Sequence, residues 1–383
     1  MSTTPIISMV AGETSGDMLA ARLLSGLRPK LPESLMHGIG GKHMAEYGFV
    51  SDFPMEKLSV RGIFEVLRHY REIKGIREQL KQNLLAERPA VFIGVDAPDF
   101  NLDLELALKQ ASIPTMHYIS PSIWAWRGGR INKIKQAVSH MLVVFPFEEA
   151  IYQQAGIPAT YVGHPLAQVI PMHNDKRAAR ESLGMDVNAR VVAILPGSRL
   201  SEIKYNAVTF VRTAKIMAQR DPHLQFVVPM AGQKQRQLYI KLIVEAGLVD
   251  VPILLMDGRS HEALAAADTV LVASGTATLE VALFKRPMVI AYKMMEASWQ
   301  ILRHMGYQPW IGLPNILAQE FVVPEFLQRA AQPEVMANAL MQQLDDGQLQ
   351  DRLAQRFTEM HQQLLRDSAS LCADAVLRVI DQH

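Results

Sequence analysis

The chain has 383 residues, a length that allows two or three domains. Its hydrophobic share of 49% suffices for sizeable cores, while a net charge of +1 excludes a nucleic-acid binder that relies on overall electrostatics. A single cysteine, Cys372, excludes an internal disulfide framework and fits a reducing compartment.

The opening MSTTPIISMVAGETSGD has no basic segment and only a short apolar run, so no signal peptide is expected. No stretch approaches ~18 uninterrupted apolar residues, so no membrane-spanning helix is expected. Residues 6–11 read as a first strand, ending in Gly12-Glu13-Thr14-Ser15-Gly16-Asp17 before a helix from Met18. The two glycines permit a tight turn and close approach of a ligand, but their spacing misses the dinucleotide fingerprint GxGxxG. Glu13, Ser15 and Asp17 sit where a substrate could meet the strand's carboxyl end; a helix-capping turn is the plainer reading.

Residues 58–82 carry apolar side chains at Ile63, Val66, Leu67, Tyr70, Ile73, Ile76 and Leu80, which is helical spacing. Arg68, Arg71, Lys74, Arg77 and Lys81 are interleaved. Two readings stay open: a core-packed helix with a solvated basic face, or a surface that binds anionic lipid. Residues 91–95 form a buried strand, ended by Asp96-Ala97-Pro98-Asp99-Phe100, with Pro98 holding Ala97 extended. Asp96 therefore falls at a strand's carboxyl end, where open α/β sheets bind ligands and a carboxylate can act as a general base. Asp99 is a second, weaker candidate.

A strand over 115–119 leads into Ser120-Pro121-Ser122-Ile123-Trp124-Ala125-Trp126-Arg127, whose two tryptophans are expected to pack as anchors. Arg127, Arg130, Lys133 and Lys135 form a basic cluster that could receive a phosphate. Strands over 141–145 and 160–162 close this half, and Gly163-His164-Pro165 marks a hinge with His164 facing a cleft.

The pattern then restarts. A strand over 191–195 ends in Pro196-Gly197-Ser198-Arg199, and strands over 225–229, 252–256, 269–273 and 288–292 follow at helical separations. Two such βα series imply two Rossmann-like, doubly wound parallel-sheet domains facing a cleft. Residues 1–166 are expected to form the first, 167–345 the second, and 346–383 C-terminal helices that pack back on the first. Arg199 can make bidentate contacts to diphosphate oxygens. After the strand 269–273, Ser274-Gly275-Thr276-Ala277 turn into a helix, and Glu280 lies one turn beyond Thr276 on the same face. The turn could hold a diphosphate while the carboxylate takes both ribose hydroxyls, although an ordinary βαβ connection with a surface Glu has the same spacing.

Together VAGETSGD, GVDAPDF, SPSIWAWR, VGHP, LPGSR and ASGTATLE, in this order across the whole chain, resemble lipid-A-disaccharide synthase. Residues 269–292 are also similar to the UDP-binding half of the peptidoglycan N-acetylglucosaminyltransferase, where the Glu matching Glu280 holds the ribose. The resemblance implies a GT-B glycosyltransferase that joins UDP-2,3-diacylglucosamine to 2,3-diacylglucosamine 1-phosphate (lipid X). The products would be the β-1,6-linked disaccharide 1-phosphate and UDP. It implies Asp96 as base, Arg199 against the diphosphate, and Ser198, Ser274, Gly275, Thr276, Ala277, Glu280 and Asn315 on the donor. Glu13, Ser15, Asp17, Asp99, Trp126, Arg127 and His164 are left for the acceptor or the cleft. With acylated substrates the enzyme should work peripherally at the cytosolic face of the inner membrane, through Val66, Leu67, Tyr70 and Ile73. A homodimer is compatible with the resemblance. No cofactor or metal is expected, since the sequence has no CxxC, HExxH or DxD cluster, and no nucleic-acid partner is expected. A soluble UDP-N-acetylglucosamine 2-epimerase or a non-catalytic UDP-sugar module are the competing readings.

Overall fold

The computed structural model describes residues 5–58, 63–125, 128–302 and 308–383, without side chains at 63–70 and 301–302. The chain divides into two compact units, one of residues 1–165 and 364–383, the other of residues 166–363.

In the first unit the described strands are β1 (Ile6–Ala11), β2 (Leu35–Ile39), β3 (Val50–Ser51), β4 (Val91–Val95), β5 (Thr115–Tyr118), β6 (His140–Val143) and β7 (Ala159–Tyr161). They form one parallel sheet in the order β3-β2-β1-β4-β5-β6-β7. Its central strands are short, apolar and β-branched, and β4 is buried along its whole length, as a strand covered by helices on both faces must be. One cluster joins Val10, Phe92, Phe100 and Leu104 to Ile76, Leu80 and Leu84 of the helix Ile63–Glu87. A second gathers Leu102, Ile123, Ile134, Met141 and Tyr152.

The second unit holds β8 (Arg190–Leu195), β9 (Leu224–Met230), β10 (Ile253–Asp257), β11 (Thr269–Ala273), β12 (Met288–Tyr292) and β13 (Glu325–Leu327). Their order is β10-β9-β8-β11-β12-β13, again wholly parallel. Counted within each unit, the second sheet runs 3-2-1-4-5-6 and the first the same with a seventh strand added, the doubly wound order whose reversal lies between the first and fourth strands.

The C-terminal helices differ from the expectation that 346–383 would return to the first domain together. Residues 347–363 belong to the second unit, and only 364–383 return to the first. The reason lies in the apolar stripe of the helix Gly347–Leu364: Leu353, Phe357 and Met360 are buried there. His361, also buried, bonds the Ala167 carbonyl through Nε2 at 2.8 Å. The last helix, Ser368–Asp381, packs against Thr14–Leu27 and buries Cys372, Val376 and Val379.

Candidate active site

The strand order brings the carboxyl ends of β1 and β4 side by side at the reversal point of the first sheet. After β1, Ser15 is exposed and Glu13 half-buried. Asp17 points inward instead. Its Oδ1 accepts from the Gly41 and Met44 amides (2.8 and 3.2 Å), and its Oδ2 from the His43 amide and Nδ1 (3.0 and 2.8 Å). Burial opposes the charge, but these donors hold the carboxyl below its ordinary value. Asp17 thus caps the short helix Lys42–Ala45 and leaves the group of cleft candidates.

After β4 the backbone is strained: Asp96 and Ala97 take φ of 53° and 44°, in the left-handed region. Each such residue costs about 1–3 kcal/mol and persists only where its surroundings fix it. Here the Asp96 amide donates to the Tyr118 carbonyl at 2.8 Å, and Asn101 Nδ2 donates to the Asp96 carbonyl at 2.8 Å. Pro98 then starts the helix Pro98–Gln110, and the Asp96 side chain is left exposed. Asp99 is exposed too, but it is ion-paired with Arg130.

The loop after β5 opens with Ile119 at a φ of 76°, unusual for a β-branched residue. Trp124 anchors it. Its Nε1 donates to Glu148 Oε1 at 3.0 Å, and its ring meets Phe147 edge-on at 5.3 Å. Glu148 is fully buried, and burial pushes its carboxyl up to about 7 despite amide donors from Phe145 and Val144. The sequence reading missed Glu148; the signal was Pro146 opening a helix with a Glu at its third position, a capping arrangement. His164 is buried and stacked on Phe145 at 5.1 Å; burial lowers it to about 4, so it is neutral near pH 7. Trp126 and Arg127 lie outside the described residues.

Along the amphipathic helix, Ile73 is partly buried and packs against the cluster of Ile76, Leu80 and Leu84. Val66, Leu67 and Tyr70 fall where side chains are not described.

In the second unit a cavity of 370 Å³ opens at the corresponding reversal, between the carboxyl ends of β8 and β11. Ser198, Arg199, Ser274, Gly275, Thr276, Ala277 and Glu280 all line it. So do Pro229, Met230 and Ala231 at the end of β9 and Gly258 and Ser260 after β10, none of them singled out by sequence, although the ends of neighbouring strands were the place to look. Gly197 has a φ of +124°, and a Cβ there would overlap Glu202. Glu202, also missed, is the buried organiser of this turn. Its Oε2 accepts from the Ser198 and Arg199 amides (2.9 and 3.1 Å) and its Oε1 from Arg199 Nη1 at 2.9 Å. Arg199 remains 79% exposed on its side chain, so its guanidinium keeps donors for a ligand.

Gly275, with a φ of 153°, lets the chain turn from β11 into the helix Ala277–Leu283. Ser274 Oγ donates to the Ile311 carbonyl at 3.1 Å. One turn into the helix, Glu280 Oε2 lies 3.4 Å from His261 Nε2. That contact raises His261 above its ordinary value. Asn315 does not line the cavity. Its Nδ2 donates to the Val323 carbonyl and Glu325 Oε1, and its Oδ1 accepts from the Val322 and Val323 amides. These bonds fix the segment before β13. Among the described residues no three His, Cys, Asp or Glu side chains are placed to hold a metal ion.

The sequence profile of the family described as Lipid-A-disaccharide synthetase matches residues 7–376. The chain is 52% identical over 383 residues to the lipid-A-disaccharide synthase of Paraburkholderia phymatum, covering 100% of this chain and 98% of that protein. It is 49% identical over 376 residues to that of Aromatoleum aromaticum, covering 98% and 96%. Among solved structures, Anabaena HepE in complex with UDP and glucose superposes with a TM-score of 0.54 at 16% identity, over 98% of this chain and 97% of that one. The UDP-GlcNAc 2-epimerase of Neisseria meningitidis, bound to UDP-GlcNAc, gives 0.61 at 10% identity, over 99% and 100%. The two solved structures share the two-domain GT-B arrangement of parallel sheets, whereas the kinship of sequence runs to the synthases over nearly the full length. The chain is a glycosyltransferase and belongs to the lipid-A-disaccharide synthase family.

Proposed function

We propose that the chain transfers 2,3-diacylglucosamine from its UDP derivative to the 6-hydroxyl of 2,3-diacylglucosamine 1-phosphate. The observation that carries the donor half is the convergence of the 197–199 and 274–280 segments on one cavity at the reversal of the second sheet. In this reading the unit of residues 166–363 takes UDP, with Glu280 on the ribose hydroxyls and Arg199 on the diphosphate. The unit of residues 1–165 and 364–383 takes the acceptor. Asp96 accepts the hydroxyl proton as the oxygen attacks the anomeric carbon, the bond to the diphosphate oxygen breaks, and UDP leaves. A single displacement inverts the anomeric centre, turning an α-linked donor into a β product. Arg199 neutralises the charge that grows on the departing diphosphate, where stabilisation lowers the barrier most.

The test is incubation of purified protein with UDP-diacylglucosamine, with and without lipid X. Disaccharide 1-phosphate and UDP should appear only when both are present. A change of sugar configuration without lipid X would establish an epimerase, and no turnover would leave a binding module.

No described helix is long and apolar enough to cross a membrane. The acylated substrates support peripheral association with the cytosolic face of the inner membrane, through Val66, Leu67 and Tyr70 on the basic helix. Changing these three to Ser should release the protein from anionic liposomes with an unchanged melt, and flotation as in wild type would defeat the reading. Ile73→Ser serves as the contrast: Ile73 packs against the core cluster, so this change should lower the melt. A homodimer is checked by sedimentation over a range of concentrations.

A further inference from the structure

Directly behind the Asp96 turn lies a group of buried polar side chains with no part in the chemistry above. Asn101, Glu105 and His117 are all fully buried. Asn101 and Glu105 stand one turn apart on the helix Pro98–Gln110, and His117 is on β5 opposite Gly94 of β4. Glu105 Oε1 and His117 Nδ1 are 2.7 Å apart. Gly94 makes the space: a Cβ there would overlap Glu105 Oε1 and press on Asn101 Cβ at 2.8 Å. Among the described residues two atoms of this group, Asn101 Oδ1 and Glu105 Oε2, have no hydrogen-bond partner. A buried ion pair with unsatisfied atoms is seldom the most stable filling for a core, because hydrophobic side chains of similar volume do as well or better. Stability therefore does not account for these residues.

Their connections lead to Asp96. Asn101 Nδ2 holds the Asp96 carbonyl, and the Asp96 amide is held by Tyr118, the neighbour of His117. Burial alone would lower His117, but the Glu105 carboxylate and the charge of Asp96 lift it above its ordinary value. Burial raises the Glu105 carboxyl in turn.

We propose that Asn101, Glu105 and His117, seated in the space opened by Gly94, are positioning residues that lock the left-handed Asp96–Ala97 turn and so aim the Asp96 carboxylate at the acceptor hydroxyl. The inference rests on Asp96 being the base. A carboxylate displaced by ~1 Å loses up to about 100-fold in rate while substrate binding elsewhere is untouched.

The decisive variant is Glu105→Leu/His117→Leu, which removes both charges and fills their volume. It should melt cooperatively at or above the wild-type temperature, bind UDP with wild-type affinity by calorimetry, and lose about 10–100-fold in kcat with little change in KM for the donor. A purely structural pair predicts recovery of the melt and the rate together, and a stable double variant with wild-type kcat overturns the inference. Should that variant not fold, Asn101→Ala decides. It cuts the bond to the Asp96 carbonyl while leaving the ion pair, and is expected to lose at least about 10-fold in kcat at unchanged UDP affinity; a wild-type rate overturns the inference. Asp96→Asn, run alongside, separates the two readings. Full turnover in that variant removes Asp96 as base, whereas an inactive Asp96→Asn beside fully active Asn101→Ala and double variants removes only the positioning cluster.

Discussion

The two sheets share the order of their first six strands, yet the ends of their central strands are built differently. Around β8 and β11 the turns run through Gly197 and Gly275, and a cavity of 370 Å³ opens with serine, threonine, arginine and glutamate on its wall. Around β1 and β4 the turns are filled from within. Asp17 faces a short helix, and Asp96 is presented outward, on two left-handed residues backed by buried polar groups. A nucleotide diphosphate is bound by many modest contacts, which calls for concavity and free donors. Proton transfer calls for one carboxylate in one place, which calls for rigidity. Under the proposed function the same topology serves both, because its reversal leaves the strand ends free to be opened or closed.

The largest effect that can break this comparison is at Asp96. Asp96→Asn should lose about 10²–10⁴-fold in kcat while UDP affinity, measured by calorimetry, stays at the wild-type value. Near wild-type turnover would pass the role of base to Glu13, the remaining carboxylate after β1.

Next comes Glu148, whose burial also belongs to the filled side. With its carboxyl raised from 4.5 to about 7, the unfolded chain ionises first as the pH rises, so the folded state loses stability between those values and regains none above them. The full difference is about 3 kcal/mol. Glu148→Gln should therefore compare better with wild type at pH 8 than at pH 5 in denaturant melts. A pH-independent difference would mean that the carboxylate is already ionised at pH 5.

Much of this contrast could be read from the sequence, and the rest could not, for identifiable reasons. The central strands were legible because runs such as 91–95 and 269–273 are short, apolar and bounded by turn residues. The edge strands Val50–Ser51 and Glu325–Leu327 were not, since two or three residues carry no periodicity. Most residues expected on the donor line one cavity because strand-turn-helix spacing fixes their place locally. Asp17 and Asp96 both follow a strand; only the fold reveals that one turns in to cap Lys42–Ala45 and the other out to solvent. That Asn315 is held away from the cavity wall, and that Glu202, His117 and Glu105 are buried organisers, was not legible, because a polar residue's partner is a matter of tertiary structure. Glycine offered an unused hint: Gly94 and Gly197 each make room for a carboxylate.

On the open side, Glu280→Gln should weaken UDP binding by about 1.5–3 kcal/mol, the range for a hydrogen bond to a charged group. Arg199→Ala should reduce kcat more than ground-state affinity, because its partner gains charge only as UDP departs. Calorimetry that finds Glu280→Gln unaltered would remove that residue from the site and leave the cavity to be explained by its serines and Arg199.

The smallest effect is the pairing of His261 with Glu280, on the same open side. The pair raises His261, so the sign follows directly: its contribution to stability is complete below the ordinary value of 6.5 and is lost as the pH rises through the higher folded value. His261 is 43% exposed on its side chain and Glu280 20%, so solvent screens the pair and it should contribute less than about 1 kcal/mol. Both this pair and Glu148 make wild type less stable toward alkaline pH, but the buried carboxyl dominates and acts from a lower pH. Removing each in turn separates them. In His261→Gln the wild-type decline should persist nearly whole, with only its upper part flattened, whereas in Glu148→Gln most of it should disappear. If His261→Gln removes the larger share, the exposed pair is the stronger one, and the contrast between a filled and an open strand end does not extend to the electrostatics of the two units.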